Sequence, residues 1–171
     1  ILLAIFIAGA SLLAYLIIYV PKFDYIQGRI FSFFNRETGS HNFQSDKAIE
    51  SITSGGFFGK GIGEGVLKNR VPEAHTDYII SVISEEFGVV AIMLILLLFL
   101  VLIYMVFKKI SFETNDKAKL ILIGSVSLIL MQATIHIGVN IRLFPTTGMT
   151  LPFLSYGGSS IISTSILAGV I

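Results

Sequence analysis

The sequence predicts an all-α, polytopic membrane protein, of which this chain is a fragment. Hydrophobic residues make up 54% of the 171 positions and charged residues only 13%, with a mean hydropathy of +0.84. Soluble domains carry roughly 25% charged residues. The charges also cluster in loops and are nearly absent from long apolar runs, as expected of membrane spans. Because Ile1 and Ile171 both lie inside apolar runs, we expect an internal piece rather than a chain opening with a signal peptide.

Charge balance and cysteine content exclude several classes of function. The net charge is +1, and no basic stripe with interleaved aromatic residues marks a nucleic-acid surface, so no nucleic-acid partner is expected. The absence of cysteine excludes disulfides and thiolate metal sites. The sequence also lacks a Ser/His/Asp set, an H-E-x-x-H motif and a His/Asp cluster with metal spacing, so no metal site is predicted.

The first predicted element is a membrane span over residues 1–21. Its first twenty residues carry no charge and can cross a hydrocarbon core of about 30 Å at about 1.5 Å per residue. Residues 22–76 follow as a large polar loop that contains short helices. Within it, Tyr25 to Asn35 is amphipathic, which is typical of a helix lying in the membrane interface. After a turn over 35–42, Phe43 to Thr53 has the pattern of a second short helix.

The second span is predicted over 77–107, and its first part extends beyond the membrane because the fully apolar run begins only at Phe87. A loop over 108–119 follows with four lysines, and the positive-inside rule places it in the cytoplasm. The large loop over 22–76 is then extracytoplasmic.

Three further elements complete the chain. A third span is predicted over 120–141, and the start of a fourth over 157–171. The loop between them, 142–156, is extracytoplasmic in this topology. Its prolines and glycines punctuate a run of hydroxyl residues, so we expect a structured turn or re-entrant element packed against the helices.

The stretch VPEAHTDYIISVISEEFG, residues 71–88, places four acidic residues at the mouth of the second span. Carboxylates in such positions are costly, which makes them functional candidates. Asp77 lies ten residues before the apolar run, about 15 Å along a helix axis, where it can meet a lipid headgroup. The alternative is that Thr76 or Asp77 only caps the helix. Glu85 and Glu86, which lie deeper, are expected to form ion pairs or packing contacts.

A glycine-rich strip, GGFFGKGIGEG, lies in the second half of the large loop. It departs from both the phosphate-loop and the G-x-G-x-x-G consensus, so it predicts flexible backbone able to approach a ligand closely. Lys60, Lys68 and Arg70 are candidates for contacts to phosphate groups, and so is the nearby His75. The alternative is a bent surface loop without a ligand.

A polar stripe runs along one face of the third predicted span. Gln132, His136 and Asn140 recur at intervals of four residues on a helix that is otherwise apolar. Hydrogen bonding between helices is the usual reason for such a stripe. The functional alternative is that these side chains line a polar cavity and bind substrate.

Two long strings of the sequence carry motifs that are highly specific for one family. They are NFQSDKAIESITSGGFFGKGIGEGVLKNRVPEAHTDYIISVISEEFG and GVNIRLFPTTGMTLPFLSYGGSS, with the PEAHTD and S-Y-G-G-S-S segments as their most specific parts. Both resemble the SEDS proteins (shape, elongation, division and sporulation), the FtsW/RodA/SpoVE group. The resemblance covers essentially the whole chain. The sequence of these motifs is closer to FtsW, the division member, than to RodA.

This resemblance implies a bundle of ten transmembrane helices. The chain would supply the seventh helix, the large extracytoplasmic loop, the eighth and ninth helices and the start of the tenth. Members of the family are peptidoglycan glycosyltransferases, enzymes of the hexosyltransferase class. They polymerise lipid II, an undecaprenyl-pyrophosphate-linked disaccharide peptide, into glycan strands. They work with a class B penicillin-binding protein and other division proteins in the bacterial inner (plasma) membrane, and the likeness to FtsW implies the division septum.

The resemblance also implies a role for one residue. The acid of the H-T-D motif is the family's catalytic residue, which makes Asp77 the expected general base. Many FtsW proteins carry lysine where this chain has Thr147, so this chain cannot use a lysine at that position. No soluble cofactor is expected, and a divalent cation, Mg²⁺ or Mn²⁺, is left open. The alternatives are a lipid II flippase, with the polar stripe as its pathway, and a non-enzymatic division scaffold.

Overall fold

The computed structural model describes residues 6–9, 11–12, 15, 19–20, 24–34, 40–71 and 73–171. Every regular element in this part of the chain is a helix, and no strand occurs in it. Six helices have defined bounds: α1 (Asp24–Phe34), α2 (Ser40–Gly55), α3 (Leu67–Arg70), α4 (Ile79–Phe112), α5 (Asp116–Asn140) and α6 (Gly158–Val170). The predicted all-α fold class is therefore confirmed for the described residues.

The chain divides into two compact units, Ile1–Phe43 and Gln44–Ile171. In the first unit, α1 covers the amphipathic stretch predicted as an interfacial helix, and Phe31 and Phe34 are exposed on it. Most of the predicted span over 1–21 lies outside the described residues, although every described position from 6 to 19 is helical. Residues 35–39 of the predicted turn also lie outside the described part, and 40–42 already belong to α2.

Two helices of the second unit are long and apolar enough to cross a membrane, α4 and α5. The first continues to Phe112, five residues beyond its predicted end, and the second begins at Asp116. Most of the loop predicted over 108–119 is thus helical, and the connection shrinks to 113–115. Asn115 terminates it by accepting a hydrogen bond from the Lys117 N–H, which satisfies one free donor at the start of α5.

Three clusters of buried apolar side chains hold the second unit together. At the lysine-bearing end of α4, Val106 packs with Leu122 and Val126 of α5. Near the other end, Ile80 and Ala133 pack with Leu151 of the loop that precedes α6. The largest cluster joins α2, α3, α4 and α5 through Ala48, Leu67, Val71, Ala74, Tyr78, Val82 and Val139. The last two clusters converge on the turn that precedes α4.

Gly88 interrupts the backbone of α4 close to the start of its apolar run. Its φ of 76° and ψ of −174° lie outside the helical region and are strained for any residue with a side chain. A Cβ atom at this position would lie 2.3 Å from the carbonyl oxygen of Phe57. Glycine is therefore required here both by backbone conformation and by the close approach of the glycine-rich loop.

The glycine-rich loop satisfies the backbone groups that the interruption frees. Four hydrogen bonds do so: Lys60 N–H to Glu85 O at 2.9 Å, Gly61 N–H to Glu86 O at 3.1 Å, Val89 N–H to Gly56 O at 3.0 Å and Val90 N–H to Phe57 O at 3.3 Å. The strip was predicted to approach a ligand with its backbone. What its backbone approaches in this structure is the break in α4.

Candidate functional site

Asp77 lies in a turn over residues 73–78 that immediately precedes α4. Its backbone N–H donates to the Glu73 carbonyl at 3.0 Å, and its side chain is half-buried. The residue at the N-cap position is Tyr78, whose side chain makes no capping hydrogen bond. The prediction that Thr76 or Asp77 is the N-cap residue of α4 is therefore wrong. The hydroxyl of Thr76 instead donates to the carbonyl and carboxylate oxygens of Glu73.

Asn140, at the last turn of α5, fixes the backbone on both sides of this position. Its amide nitrogen donates to the Asp77 carbonyl at 3.0 Å and to the His136 carbonyl at 2.9 Å. Its amide oxygen accepts from the Ser81 hydroxyl at 2.7 Å and from the Ser81 N–H at 3.3 Å. The side chain is fully buried, so none of these bonds competes with water.

The loop over 142–156, which connects α5 to α6, contacts the same turn. The hydroxyl of Ser155 donates to the Thr76 carbonyl at 2.7 Å and accepts from the Leu151 N–H at 2.8 Å. One residue further, the Tyr156 N–H donates to the His75 carbonyl at 3.0 Å. Asp77 is thus held between a helix terminus and a loop that lie more than sixty positions later in the chain.

The PTTG segment of this loop passes directly beside the Asp77 carboxylate. A Cβ atom built on Gly148 would lie 3.7 Å from the Asp77 Oδ2 atom, which is ordinary van der Waals spacing, so Gly148 borders the carboxylate. The preceding residue, Thr147, is exposed. The position that carries lysine in many FtsW proteins is therefore adjacent to the loop residue that borders the predicted base.

The other two residues of the polar stripe anchor the loop over 142–156. Gln132 donates to the carbonyl and hydroxyl oxygens of Thr150, both at 3.0 Å, and to the Ser160 hydroxyl at 3.3 Å. The His136 Nδ1 atom donates to the Met149 carbonyl at 2.7 Å. Its Nε2 atom is buried with no hydrogen-bond partner among the described residues. The polar stripe therefore hydrogen-bonds to the loop over 142–156 and to α6. Such bonds are the usual role of polar side chains on membrane helices.

Backbone strain concentrates in the segments that frame Asp77. Among the described residues, the non-glycine positions with positive φ are Glu73 at 62°, Arg142 at 58° and Phe153 at 67°. The first lies in the turn before α4, and the other two lie in the loop over 142–156. Left-handed conformations of non-glycine residues cost about 1–3 kcal/mol each and cluster at functional sites. Their placement supports the turn and the loop as the functional part of the chain.

Lys60 does not face the Asp77 turn, because it forms an ion pair with Glu85 at 2.9 Å. The Glu85 side chain is only 3% exposed, and it also accepts from the N–H groups of Val66 and Leu67 at 3.1 and 3.0 Å. The expectation that this deeper acid forms an ion pair is confirmed for Glu85. Lys60 therefore stabilises the loop through this ion pair, and it remains a candidate for contacts to phosphate groups.

A polar pocket of about 180 Å³ opens beside this ion pair. Lys47, Glu50 and Arg70 border it together with Lys60 and Glu85. A hydrogen bond from Lys47 and its positive charge lower the pKa of the Glu50 carboxyl. Arg70 is exposed, whereas the side chain of Lys68 lies outside the described part of the structure.

His75 lies within the turn over 73–78, is exposed, and lines a groove of about 550 Å³. Ile79, Tyr156 and Ile161 are among the other lining residues, so the groove is mainly apolar. Of the predicted phosphate contacts, His75 is thus the one that lies within the Asp77 turn. Within the described ranges, no group of three His, Asp or Glu side chains is assembled that could hold a metal ion.

Three residues around Asp77 were not singled out from the sequence: Ser81, Gly148 and Ser155. Two are buried hydroxyl residues, and no periodicity distinguishes a serine that bonds across the fold from one exposed on a helix. The sequence signal that did exist was the density of Pro, Gly and hydroxyl residues over 142–156, which predicted a structured loop without indicating its partner.

Comparison with known proteins places this geometry in a family. The family model described as cell cycle protein, FtsW/RodA/SpoVE, matches residues 1–171. The chain belongs to the FtsW/RodA/SpoVE family. It is accordingly part of a multi-pass membrane protein, and α4 and α5 are two of its spans.

Two relatives of this FtsW/RodA/SpoVE family member carry the same name. It is 37% identical to a probable peptidoglycan glycosyltransferase FtsW of Enterococcus hirae, over 96% of this chain and 44% of the relative. A protein of the same name from Caulobacter vibrioides is 38% identical, over 86% of this chain and 38% of the relative. The chain therefore spans less than half the length of these relatives.

A solved structure shares the fold as well. One chain in a peptidoglycan synthase complex, described as coordinating polymerization and crosslinking, superposes with a TM-score of 0.75 at 26% identity. The match covers 99% of this chain and 46% of that chain. The chain thus resembles in fold about half of one chain of a larger solved assembly.

Proposed function

We propose that the protein containing this chain is a peptidoglycan glycosyltransferase that polymerises lipid II during cell division. The observation that carries the proposal is the position of Asp77. Its half-buried carboxylate lies in a turn fixed by Asn140 and Ser155, at the end of a membrane-spanning helix. A carboxylate held there lies at the depth expected for the headgroup of a lipid-linked sugar. The names of the relatives support the same activity.

The chemistry assigned to Asp77 is that of a general base. The carboxylate removes the proton from an acceptor sugar hydroxyl while that oxygen attacks the anomeric carbon of the donor. The bond from the anomeric carbon to the pyrophosphate breaks, and undecaprenyl pyrophosphate leaves with the bonding electrons. Rigid placement matters because a misplaced base abstracts the proton inefficiently.

The departing pyrophosphate requires compensating positive charge. His75 within the turn and Arg70 shortly before it in sequence are exposed, so they are the first candidates for this role. Lys60 is a weaker candidate because its ammonium group is already paired with Glu85. Lys68 remains a candidate by sequence. Gln132, His136 and Asn140 act in this proposal by positioning the turn and loop instead of contacting lipid II.

The proposal includes a cellular setting for the activity, which the family supports. We assign the protein to the bacterial inner membrane at the septum, with the large loop and the loop over 142–156 on the extracytoplasmic side. The proposed partner is a class B penicillin-binding protein, which is supported by the description of the solved complex as coordinating polymerization and crosslinking. Other division proteins would recruit the pair.

The test uses the full-length protein reconstituted with its penicillin-binding partner and fluorescent lipid II. Asp77→Asn and Asp77→Ala should each reduce glycan polymer formation by about 10²–10⁴-fold, the usual contribution of general acid–base catalysis. Asp116→Asn is the matched control, since this exposed acid lies at the opposite end of α5 and should leave the rate unchanged.

Each other outcome of this experiment points elsewhere. Normal polymer formation by Asp77→Ala would contradict the assignment of the base. Lipid II transport that survives Asp77→Ala but is lost in Gln132→Ala and His136→Ala would favour a flippase. Recruitment of the division machinery without either activity would favour a scaffold. The hydrogen bonds that the stripe makes to the loop over 142–156 weigh against the flippase.

A further inference from the structure

The glycine-rich loop over 56–62 exposes large apolar side chains. Phe57, Phe58 and Ile62 are 75%, 86% and 81% exposed, although nonpolar side chains of this size normally avoid water. The single charged residue of the loop, Lys60, turns back onto the buried Glu85 carboxylate. The outward face of the loop is therefore almost entirely apolar, as expected of a surface that meets another apolar phase.

Backbone contacts fix the height of this loop along α4. The hydrogen bonds between residues 56–61 and residues 85–90 leave it no freedom to slide along the helix. A Cβ atom on Gly59 would lie 2.2 Å from the Glu86 carbonyl oxygen, so the two backbones are in direct contact. The loop is thus locked at the level of the break in α4.

That level coincides with the boundary of the hydrocarbon core. The apolar run of α4 extends from Phe87 to Phe107, which are 21 positions and roughly 31 Å of helix, close to the thickness of a bilayer core of about 30 Å. Phe87, Val89 and Val90 are themselves 40–53% exposed at its start. The apolar face of the loop therefore adjoins the exposed apolar side chains at the start of this run.

We propose that Phe57, Phe58 and Ile62 insert between lipid acyl chains next to the Phe87 end of α4. Phe and Ile are among the side chains whose transfer into the hydrocarbon core is favourable. The inserted loop would anchor the adjoining segment of the large loop, because Glu85 ties it to the first residues of α3 through the Val66 and Leu67 N–H groups.

The experiment measures the surroundings of spin labels in the full-length protein, reconstituted in phospholipid nanodiscs. Phe58→Cys and Ile62→Cys are labelled separately, with any cysteine elsewhere replaced, so that each reports independently of how well the other variant folds. Collision with oxygen reports lipid, and collision with a nickel chelate reports water. Asn69→Cys, at an exposed polar position of α3, is the water reference, and a phospholipid labelled near the top of its acyl chain is the lipid reference.

We expect the oxygen-to-nickel ratio at positions 58 and 62 to match the labelled phospholipid and to exceed the ratio at position 69 severalfold. High nickel accessibility at both positions would overturn the proposal, because the loop would then face water. Low accessibility to both reagents would overturn it too, since another protein segment would then cover the loop.

Discussion

The side-chain amide of Asn140 donates a hydrogen bond to the backbone carbonyl of Asp77, 63 positions earlier in the chain. The same amide group accepts from Ser81, in the first turn of α4, so one buried side chain spans the junction between the turn and the helix. The proposed base is therefore placed by the end of a different helix.

Asn140→Ala should impair glycan polymerisation without touching the Asp77 carboxylate. The change removes the donor to the half-buried Asp77 carbonyl and the acceptor of the buried Ser81 hydroxyl, and a buried polar group left unsatisfied costs about 1–3 kcal/mol. We expect a lower thermal midpoint and a polymerisation rate reduced roughly 10- to 100-fold by misplacement of the base. Asn69→Ala, an exposed control, should change neither quantity. An unaltered rate in Asn140→Ala would contradict the positioning role.

Gly88→Ala should destabilise the protein strongly. The new Cβ atom would overlap the Phe57 carbonyl, and the backbone conformation alone costs about 1–3 kcal/mol for a residue with a side chain. Gly124→Ala is the matched control, because that helical glycine has open space around it and alanine favours helix by about 0.5–1 kcal/mol. Thermal unfolding in detergent should therefore show the two substitutions moving the midpoint in opposite directions. Equal midpoints would mean that the loop does not enter the break in α4.

The Glu85–Lys60 ion pair should show strong coupling in a double-mutant cycle. Glu85→Gln leaves Lys60 without its partner and weakens the acceptor for two N–H groups, and we expect a loss of about 1–3 kcal/mol. The double variant Glu85→Gln/Lys60→Met should lose less stability than the two single variants lose together, with a coupling energy of about 0.5–3 kcal/mol. The exposed pair of Lys119 and Asp116 is the control, with an effect below about 1 kcal/mol. Strict additivity at Glu85 and Lys60 would indicate that the pair contributes no interaction energy.

Ser155→Ala should loosen the loop over 142–156 from the Asp77 turn. Its hydroxyl is buried and bridges Leu151 N–H to Thr76 O, so alanine leaves both groups unpaired at a cost of about 1–3 kcal/mol. We expect a slower polymerisation rate and faster hydrogen exchange in the loop. Ser163→Ala removes only a hydroxyl that bonds within its own exposed helix turn, and it should behave like the parent protein. Slow exchange retained in Ser155→Ala would show that other contacts hold the loop.

The sequence predicted the helical class because length and apolar composition decide whether a segment can cross a bilayer. It also pointed to Asp77, since an acid beside an apolar run is costly and unusual. It did not predict the break at Gly88, because a glycine in an apolar helix has the same local pattern whether or not a loop enters beside it. Nor could it show that the chain bends back so that Ser155 reaches Thr76. Contacts between positions 79 apart depend on tertiary packing, which leaves no periodic signal.

The hydrogen bonds from Asn140 and Ser155 to the turn can form only late in biosynthesis. Synthesis proceeds from the N-terminus, so Asp77 is made 63 residues before the side chain that fixes its carbonyl. At about 5–20 residues per second, the turn emerges roughly 3–13 s before that partner exists. Until α5 and the loop that follows it have been made, the turn lacks these two hydrogen bonds. Premature termination of translation before residue 140 would yield an inserted polypeptide without an assembled site.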